Sequence, residues 1–471
     1  MKIKLNKAYP SFLKTGLNLE RTSNNVIKIT SEDEIPLDIL LPEDFELEKE
    51  AVDQLISFAH LKTASGKTMR CACATPDFHK SSTIPVGSVV VSDPDVVIPA
   101  AIGTDINCGM RLHNTGLMFD EFLAIKPQLI ELLKGDYLAG TRDMPTTNKA
   151  MSAMFVDGLS GFWEEMKTTP KGIFNQIDYN KVFLELDKIH SSAFNKGDLK
   201  YAPENLLNRE WMRDPTLGTI GASNHFAEFQ VVSEIKNKAL AYQLGIKPGQ
   251  VMIMIHSGSR DVGFYVGNQW MNIAKEEWVK TGKKHPENKA FAIEGELSFK
   301  YMKAMTVAAH YATVNRALLA EIVRQRITQL TKKDNNHLVV DVPHNIIIPE
   351  SVGNVHRKGA TPAHENDLLL IPGSMGHESY ILNGLGNEKW LKSASHGAGR
   401  NISRNKMSFK SKKSKDWLKL DSVECITLKE ERKIEEAPGA YKEIGEVIQS
   451  QVDEQTVDIV AVTRPICTFK A

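Results

Sequence analysis

The sequence has no net charge and few cysteines. Its 471 residues include 58 Lys and Arg against 58 Asp and Glu. Proteins that hold nucleic acid by bulk electrostatics usually show a strongly basic domain. The balance argues against that class, but it is compatible with a basic groove offset by acidic surface elsewhere. The five cysteines include no Cys-x-x-Cys pair, which predicts reduced thiols rather than a disulfide framework.

Long apolar runs are also missing. No run approaches the ~18 residues that a membrane-spanning helix needs, and no apolar segment typical of a signal peptide follows the basic N-terminal residues. Hydrophobic residues make up 42% and charged residues 25% of the chain, as in average soluble globular proteins, which excludes disorder, collagen-like repeats and coiled coil for the whole chain. We expect a soluble, cytoplasmic protein without a membrane partner.

The chain alternates irregularly between helix-like and strand-like segments. Helical spacing predicts helices within 43–61 and 299–330, and short β-rich runs bounded by turn residues predict strands at 86–91, 251–255, 337–342, 368–371 and 456–462. Because regular βαβ spacing is absent, the pattern favours an α+β fold. No linker or repeat divides the chain, so we predict a single large domain over 1–471, with the polar stretch 135–215 as an insertion over the core.

The functional signal is a set of glycine-rich patches that carry histidine. They read TPDFH (75–79), PAAIGTDINCGMR (99–111), LGTIGASNHFAE (217–228), MIHSGSRDVG (254–263), VPHNII (342–347), IPGSMGHESY (371–380) and SASHGAGR (393–400). Flexible backbone beside a metal-capable ring packs poorly in a core, whereas function concentrates on loops held by rigid elements. Any single one of the 14 histidines is most simply a structural residue. Several in the same context indicate a site.

Five side chains in these patches form a candidate ligand set. Asp105 and Cys108 stand three residues apart in a predicted turn, and His225, His256 and His344 each follow an apolar run, which predicts a place at a strand or helix end. One carboxylate, one thiolate and three imidazoles suffice for one crowded metal or for two metals that share a ligand. Imidazole suits Zn, Cu, Fe and Ni, whereas carboxylate suits Mg and Mn, so these residue types leave the metal open.

Two further patches are typical of anion cradles. The glycines of GSMG (373–376) and HGAGR (396–400) let backbone N–H groups approach phosphate oxygens, and Arg400 adds a bidentate fork. Neither patch fits the Walker A or the dinucleotide-binding pattern. HSGSR (256–260) is not the nucleophile elbow of the α/β-hydrolases. The kinase, P-loop, Rossmann and serine-hydrolase classes are therefore excluded.

Taken together, the motifs resemble the RtcB family of RNA ligases. GTDINCGMR, GTIGASNHFAE, HSGSR, VHRKGAT (355–361), IPGSMG, SASHGAGR, EEAPGAYKEI (435–444) and Lys470 occur in that family's order from about residue 70 onward. The resemblance implies an RtcB-like α+β fold around a central metal and nucleotide cleft. It also implies a ligase that uses GTP and two Mn²⁺ ions to join RNA 3′-phosphate or 2′,3′-cyclic phosphate ends to 5′-hydroxyl ends. Guanylylated histidine and RNA 3′-pp-5′-G would be the intermediates, GMP would be released, and the setting would be tRNA splicing or RNA repair.

The resemblance also implies roles for individual residues. His396 corresponds to the catalytic histidine that becomes guanylylated. Cys108 would bridge two Mn²⁺ ions, with Asp105 and His225 on one ion and His256 and His344 on the other. The guanine-nucleotide site would comprise Asn224, His225, Phe226, Ala227, Glu228, His344, Asn345, Pro372, Gly373, Ser374, Met375, Ser379, His396, Gly397, Ala398, Gly399 and Lys470.

Two segments depart from the family pattern. Residues 80–83 read KSST where members usually carry glycine, and residues 361–364 read TPAH where members commonly place an arginine nearby. These departures leave two alternatives open: a guanylyltransferase of this family that caps other RNA or DNA 3′-phosphate ends without efficient sealing, and a non-catalytic RNA-binding paralogue.

One segment is strongly basic. Residues 400–419 hold eight Lys and Arg against one Asp. Such a run is commonly a solvated loop, but its position directly after SASHGAGR also predicts contact with RNA phosphates.

Overall fold

The secondary structure is an irregular mixture of strands and helices. The structure is a computed structural model, and it describes residues 18–30, 35–286, 288–403, 406–407 and 424–471. Within these ranges the strands are β1 (Asn18–Arg21), β2 (Val26–Thr30), β3 (Leu37–Leu40), β4 (Cys71–His79), β5 (Val86–Ser92), β6 (Val96–Val97), β7 (Gly109–Met118), β8 (Thr146–Thr147), β9 (Trp211–Met212), β10 (Phe226–Ile235), β11 (Gln250–Ser257), β12 (Ile293–Glu294), β13 (His337–Pro343), β14 (Asn345–Glu350), β15 (Gly353–Lys358), β16 (Ala360–Pro362), β17 (Leu368–Ile371), β18 (Ser379–Gly384), β19 (Ser393–Ser395), β20 (Cys425–Ile426) and β21 (Val457–Phe469).

The α-helices stand between these strands at irregular intervals. Over the same ranges they are α1 (Lys49–Ala59), α2 (Phe119–Lys134), α3 (Asn148–Met166), α4 (Tyr179–Leu184), α5 (Lys238–Gln243), α6 (Arg260–Lys280), α7 (Glu296–Thr331), α8 (Glu430–Glu435) and α9 (Ile444–Asp453). The predicted α+β class is confirmed. The two predicted helices correspond to α1 and α7, and each predicted strand overlaps an observed one.

Two large sheets form the frame. The first has the order β1-β2-β3-β4-β5-β15-β14. The second has the order β13-β7-β11-β10-β21-β18-β17, with β20 beside β21. Neighbouring strands in both are antiparallel except for the pairs β3–β4 and β20–β21. A single residue, His344, separates β13 in the second sheet from β14 in the first. The chain therefore crosses between the sheets at this point, which lies in one of the predicted site patches.

The main hydrophobic core lies between the second sheet and the helices α2, α3, α6 and α7. Helix α7 is 36 residues long and is buried on all sides through its middle, as expected for a helix without glycine or proline that packs against strands and other helices. In the stretch 135–215, Phe162, Trp163 and Phe174 are also fully buried in this core. That stretch therefore contributes to the core, although its sequence is polar. Its status as an insertion stays a prediction.

Two expectations about cysteine and membranes can be compared with the structure. All five cysteines lie in the described part of the chain and are free. Among the described residues, no helix is both long and apolar enough to cross a bilayer.

Candidate functional site

Strand ends of the second sheet bring the predicted ligands together. In the antiparallel register, Ser257 at the end of β11 and Pro343 at the end of β13 both lie opposite Gly109, the first residue of β7. Cys108, His256 and His344 are therefore neighbours at one end of the sheet. His225 stands just before β10, opposite that same end of β11, so it also lies at the end of a strand, as predicted.

The five side chains converge at hydrogen-bond distances. The Cys108 Sγ lies 3.2 Å from Nε2 of His225 and 3.1 Å from Nε2 of His256. The Nε2 atoms of His256 and His344 are 3.1 Å apart, and Asp105 Oδ2 is 2.9 Å from Nε2 of His225. Sulfur, carboxylate and three imidazole nitrogens thus form a continuous chain of donor atoms.

The electrostatics of this cluster fit metal binding. Burial lowers the pKa of His256 and of His344 well below the usual value, so both rings are neutral and carry a lone pair. His256 Nδ1 lies 3.2 Å from the Asn224 carbonyl oxygen, and when Nδ1–H donates there, Nε2 is the bare nitrogen. Burial favours the neutral form of Asp105, but His225 outweighs it and holds the pKa of this carboxyl below its ordinary range.

The donor atoms are arranged so that a cation could lie among them. Two bare imidazole nitrogens 3.1 Å apart repel each other unless a proton or a metal ion lies between them. Burial and the adjacent Asp105 carboxylate raise the pKa of the Cys108 thiol well above its usual value, whereas a coordinating metal deprotonates a thiol outright. Cys108, His225 and His256 each offer one ligand atom, and these atoms lie within 4.8 Å of one another. The donor set therefore fits metal binding, as the resemblance implies.

A buried arginine fixes the backbone next to two of the predicted ligands, Cys108 and His256. The Arg316 guanidinium, on α7, donates to the backbone oxygens of Asn107 at 2.7 Å and Ser257 at 3.1 Å. It also pairs with the Asp341 carboxylate at 2.7 Å. The positions of Cys108 and His256, each next to one of these backbone groups, are thereby fixed to the core.

His396 stands beside the cluster and is paired with a buried carboxylate. It follows β19, and its ring centroid is 4.7 Å from that of His344. Its Nδ1 lies 2.6 Å from Oδ2 of Asp77, a fully buried residue whose Oδ1 also accepts from the Thr75 hydroxyl at 2.6 Å. Burial, the largest single influence, would raise the pKa of Asp77, but the hydrogen bond and charge of His396 together with the Thr75 hydrogen bond and nearby His79 leave the pKa below its usual value. Asp77 is therefore an anion that accepts Nδ1–H, which directs Nε2 of His396 away from it.

Glycines allow this close approach. Gly399 has φ +75°, and a Cβ there would lie 2.3 Å from the Asp77 carbonyl oxygen. Gly359 has φ +61°, and a Cβ there would lie 2.3 Å from a Val86 methyl group and 3.1 Å from the His396 ring. A larger residue at Gly399 would push the histidine loop away from the strand that carries Asp77, and one at Gly359 would press on Val86 and on the His396 ring.

These groups surround one large pocket. It has a volume of about 690 Å³ and is open to solvent on one side. Among the ligands, Asp105, Cys108, His256 and His344 contribute to its wall, as does His396. The wall also includes Asn224, Phe226, Glu228, Asn345, Pro372, Gly373, Ser374, Met375, Gly397, Ala398, Gly399 and Lys470. Most of the predicted nucleotide residues thus face a single cavity.

Three predicted nucleotide residues, His225, Ala227 and Ser379, do not contribute to the wall. Ala227 is fully buried in the main core, on the opposite face of β10 from Phe226 and Glu228. Ser379 is fully buried, and its hydroxyl accepts the Gly373 N–H at 3.2 Å. It therefore supports the glycine loop from behind. Lys470 directs its Nζ toward the His225 carbonyl oxygen at 3.4 Å and lies over the Phe226 ring.

The two departures from the family pattern occupy different places. Lys80, Ser81 and Ser82 are part of the pocket wall, whereas the described residues 361–364 are not. Of the basic stretch 400–419, Arg400 and Lys406 also contribute to the wall, but residues 404–405 and 408–419 lie outside the described part of the chain.

Sequence reasoning missed three supporting residues. Asp77 stood inside the motif TPDFH, and Lys358 inside VHRKGAT, but neither was given a role. The Lys358 amine lies in the pocket wall, and burial lowers its pKa. Lys442, in the EEAPGAYKEI block, donates to the backbone oxygens of Pro76 at 2.9 Å and Phe78 at 2.7 Å and so fixes the segment around Asp77. Burial lowers the pKa of Lys442 to about 8. The sequence signal that could have identified these three residues is that each is a charged residue inside one of the family motifs.

Comparison with known proteins identifies the family of this chain. The sequence profile of a family described as tRNA-splicing ligase RtcB matches residues 54–471. A tRNA-splicing ligase RtcB of Aeropyrum pernix is 30% identical over 472 aligned residues, which cover 92% of this chain and 94% of that protein. A protein of the same name from Thermococcus kodakarensis is 29% identical over 448 residues, covering 84% and 86%. The chain therefore belongs to the RtcB family.

Proposed function

We propose that the protein is an RNA ligase that uses GTP and two Mn²⁺ ions to join RNA 3′-phosphate or 2′,3′-cyclic phosphate ends to 5′-hydroxyl ends, in tRNA splicing or RNA repair. One observation carries the proposal. His396 stands in the wall of a 690 Å³ pocket, paired with buried Asp77 on one side and 4.7 Å from the His344 ring on the other. The proposed nucleophile thus stands at the wall of the cavity, between a buried carboxylate and the candidate metal-binding cluster.

The ligands divide naturally between two ions. Asp105 and His225 would hold one ion and His256 and His344 the other, with the Cys108 sulfur shared. The distances between neighbouring donor atoms, from 2.9 to 3.2 Å, support this division. When bound, paired Mn²⁺ ions would neutralise charge on the phosphoryl group under transfer.

His396 would act as the covalent acceptor. Asp77 accepts Nδ1–H, so Nε2 keeps its lone pair and is the attacking atom. The bond from Nε2 to the α-phosphorus of GTP forms as the α–β anhydride bond breaks, and pyrophosphate leaves. The imidazole becomes positively charged in this step, and the Asp77 carboxylate at 2.6 Å stabilises that charge.

The next two steps would transfer GMP from His396 to the RNA 3′ end and then join the two RNA ends. An oxygen of the RNA 3′-phosphate attacks the phosphorus of the GMP group and His396 leaves, which yields the RNA 3′-pp-5′-G end. The RNA 5′-hydroxyl then attacks the activated 3′-phosphate and GMP leaves. Lys406 in the pocket wall would supply a cation for RNA phosphates, whereas Lys80 and Arg400 are paired with Glu50 and Glu436. The position of Lys406 favours the RNA-contact interpretation of the basic stretch.

A label-transfer experiment tests the three steps separately. The protein is incubated with α-labelled GTP and Mn²⁺, with or without an RNA that carries a 3′-phosphate and a second RNA with a 5′-hydroxyl. We expect label on the protein first, then on the RNA 3′ end, and finally a sealed product. His396→Ala should retain metal and lose all protein label. His337→Gln, at the start of β13 and far from the pocket, serves as the matched control and should label normally.

Lys470 is the rival acceptor, because other nucleotidyl-transfer ligases use lysine. An unperturbed lysine has a pKa of ~10.4 and is protonated at neutral pH, so Lys470→Ala should weaken GTP use without removing the acceptor. Peptide mapping that finds GMP on Lys470 would overturn the assignment of His396.

The same experiment separates the two alternatives. Label that reaches the RNA 3′ end but never yields sealed product would indicate a guanylyltransferase that caps ends. The presence of Lys80, Ser81 and Ser82 in the pocket wall makes this segment the place to look for altered end specificity. Complete absence of label on the protein, with RNA binding intact, would indicate a non-catalytic paralogue.

A further inference from the structure

A second group of metal-ligating side chains lies outside the pocket. One ring nitrogen of His190, one of His364 and one carboxylate oxygen of Asp367 all lie within 4.8 Å of one another. His190 directly precedes a short helical turn at 191–194, and His364 and Asp367 belong to the loop between β16 and β17. None of the three contributes to the wall of the pocket described above.

We propose that His190, His364 and Asp367 form a binding site for one zinc-like divalent ion, separate from the catalytic cluster. Two imidazoles and one carboxylate are a donor set that zinc takes commonly, with water completing the coordination. The same nitrogen-rich set disfavours Mn²⁺ and Mg²⁺ in comparison with zinc. This proposal does not rest on the proposed ligase activity.

The His364 imidazole is arranged as a ligand with an outer partner. Its Nδ1 lies 2.9 Å from Asp367 Oδ2, and its Nε2 lies 3.3 Å from Glu350 Oε2. Glu350 in turn accepts from the Arg357 guanidinium at 2.8 Å. A ligating histidine usually donates its second ring N–H to a carboxylate, which fixes the ring and its tautomer. Glu350 stands where that outer carboxylate is expected, and it leaves Nδ1 to face the ion beside Asp367.

The other two groups are also held in place. His190 Nδ1 lies 2.9 Å from the Ser192 hydroxyl oxygen, and its backbone N–H donates to the Asp341 oxygen on β13. Asp367 Oδ2 accepts the His364 backbone N–H at 3.1 Å. Donor atoms around a tetrahedral zinc with bonds of about 2.0–2.1 Å lie roughly 3.4 Å apart, and the three donor atoms here lie within 4.8 Å of one another, so a small inward movement completes the site.

Solvent can reach the site. The side chains of His364 and Asp367 keep 33% and 32% of their surface exposed, enough for an ion to enter and for water to remain as a ligand. Bound metal would tie the 185–194 region to the loop that follows β16. Strand β16 pairs with β19, and β19 leads directly to His396. The bound ion would therefore lie close along the chain to the strand that pairs with the one before the proposed catalytic histidine.

The rival interpretation is an ion triad without metal. In that case a protonated His364 lies between Glu350 and Asp367, and His190 is only a neighbour. The two interpretations predict different zinc stoichiometry for the same protein, and this difference can be measured directly.

The test is equilibrium dialysis of the full-length, chelator-stripped protein against Zn²⁺, with bound metal counted by mass spectrometry. His364→Gln and the isosteric Asp367→Asn should each lose about one Zn²⁺ per chain. The control His337→Gln should lose none. In a background in which Cys108→Ala and His256→Ala disable the catalytic cluster, one Zn²⁺ should remain and should disappear when His364→Gln is added.

A second measurement guards against misfolding of a variant. Added Zn²⁺ should raise the thermal unfolding midpoint of the Cys108→Ala, His256→Ala protein, and Asp367→Asn in that background should abolish the rise. If His364→Gln and Asp367→Asn bind as much Zn²⁺ as the unchanged protein in both backgrounds, the ion triad is correct and the proposed site is overturned. Absence of guanylylation in the unchanged protein, with zinc bound at this site, would count against the proposed function alone.

Discussion

Replacement of Asp77 by asparagine isolates the contribution of the orienting carboxylate. The variant keeps the size of the side chain and removes its charge. Asp77 Oδ2 lies 2.6 Å from His396 Nδ1 and is fully buried, so water cannot substitute for the lost acceptor. An asparagine can also present its amide N–H₂ to Nδ1, which would move the ring proton to Nε2 and block the attacking atom.

The expected effect follows from the geometry. A hydrogen bond to a charged group contributes about 1.5–3 kcal/mol, which sets the lower bound. The attraction between the Asp77 carboxylate and the developing imidazolium charge sets the upper bound, since two unit charges about 4 Å apart interact by about 4 kcal/mol at an effective dielectric constant of 20. At roughly 1.4 kcal/mol per factor of ten, an effect of about 3–4 kcal/mol means that Asp77→Asn should slow guanylylation of His396 by about 10²- to 10³-fold.

The assay is single-turnover transfer of label from α-labelled GTP to the protein at saturating GTP and Mn²⁺. Metal content measured on the same samples reports whether the ligand cluster is intact. Thr75→Val is the matched control, because it removes the 2.6 Å hydrogen bond to Asp77 Oδ1 and leaves the carboxylate in place. It should slow labelling by about tenfold or less. Labelling of Asp77→Asn at the rate of the unchanged protein would refute the role assigned to the pair.

Three further outcomes are expected. Gly399→Ala should lower labelling at least as much as Asp77→Asn, because the added Cβ would lie 2.3 Å from the Asp77 carbonyl oxygen; normal labelling would show that the loop adapts. Cys108→Ser should lower bound Mn²⁺, counted by mass spectrometry, and slow labelling by more than about 100-fold, since loss of an outer partner alone costs 10- to 100-fold. Buried His356 has a pKa of about 4 because burial disfavours its charge. Between pH 6.5 and 4 the unfolded state therefore binds more protons than the folded state. As the pH is lowered through this range, His356 reduces the free energy of unfolding by up to about 3 kcal/mol. His356→Gln should reduce that slope in denaturant titrations, and an unchanged slope would contradict the assignment.

The regular elements were predictable because each follows from local apolar spacing. Helix α7 carries 36 residues without a breaker, and the strand at 368–371 is a short apolar run between turn residues. The contribution of 135–215 to the core was not predictable. Trp163 and Phe174 are buried by residues far along the chain, and a polar stretch gives no local sign of such contacts.

The residues of the candidate site were likewise predictable only in part. Asp105, Cys108 and the three ligand histidines stand in motifs whose residue types indicate metal chemistry, and the structure brings all five together. Asp77 could not be assigned a partner from sequence, because His396 lies 319 residues further along the chain. Side-chain direction was equally hidden: Ala227 alternates with Phe226 and Glu228 along β10, and only the sheet determines which of them faces the pocket.

The anchoring of the ligand loops by Arg316 also bears on how the protein fluctuates. Loops that carry active sites commonly open locally, at far lower free energy than the core. Here the backbone oxygens of Asn107 and Ser257 are bonded to a guanidinium that is itself buried within α7 and paired with Asp341. Opening these loops leaves a buried cation partly unsatisfied, which is costly. The segments around Cys108 and His256 therefore belong to the same cooperative unit as the central helix, and exchange of their amide hydrogens with solvent should be governed by the opening of the core rather than by loop motion.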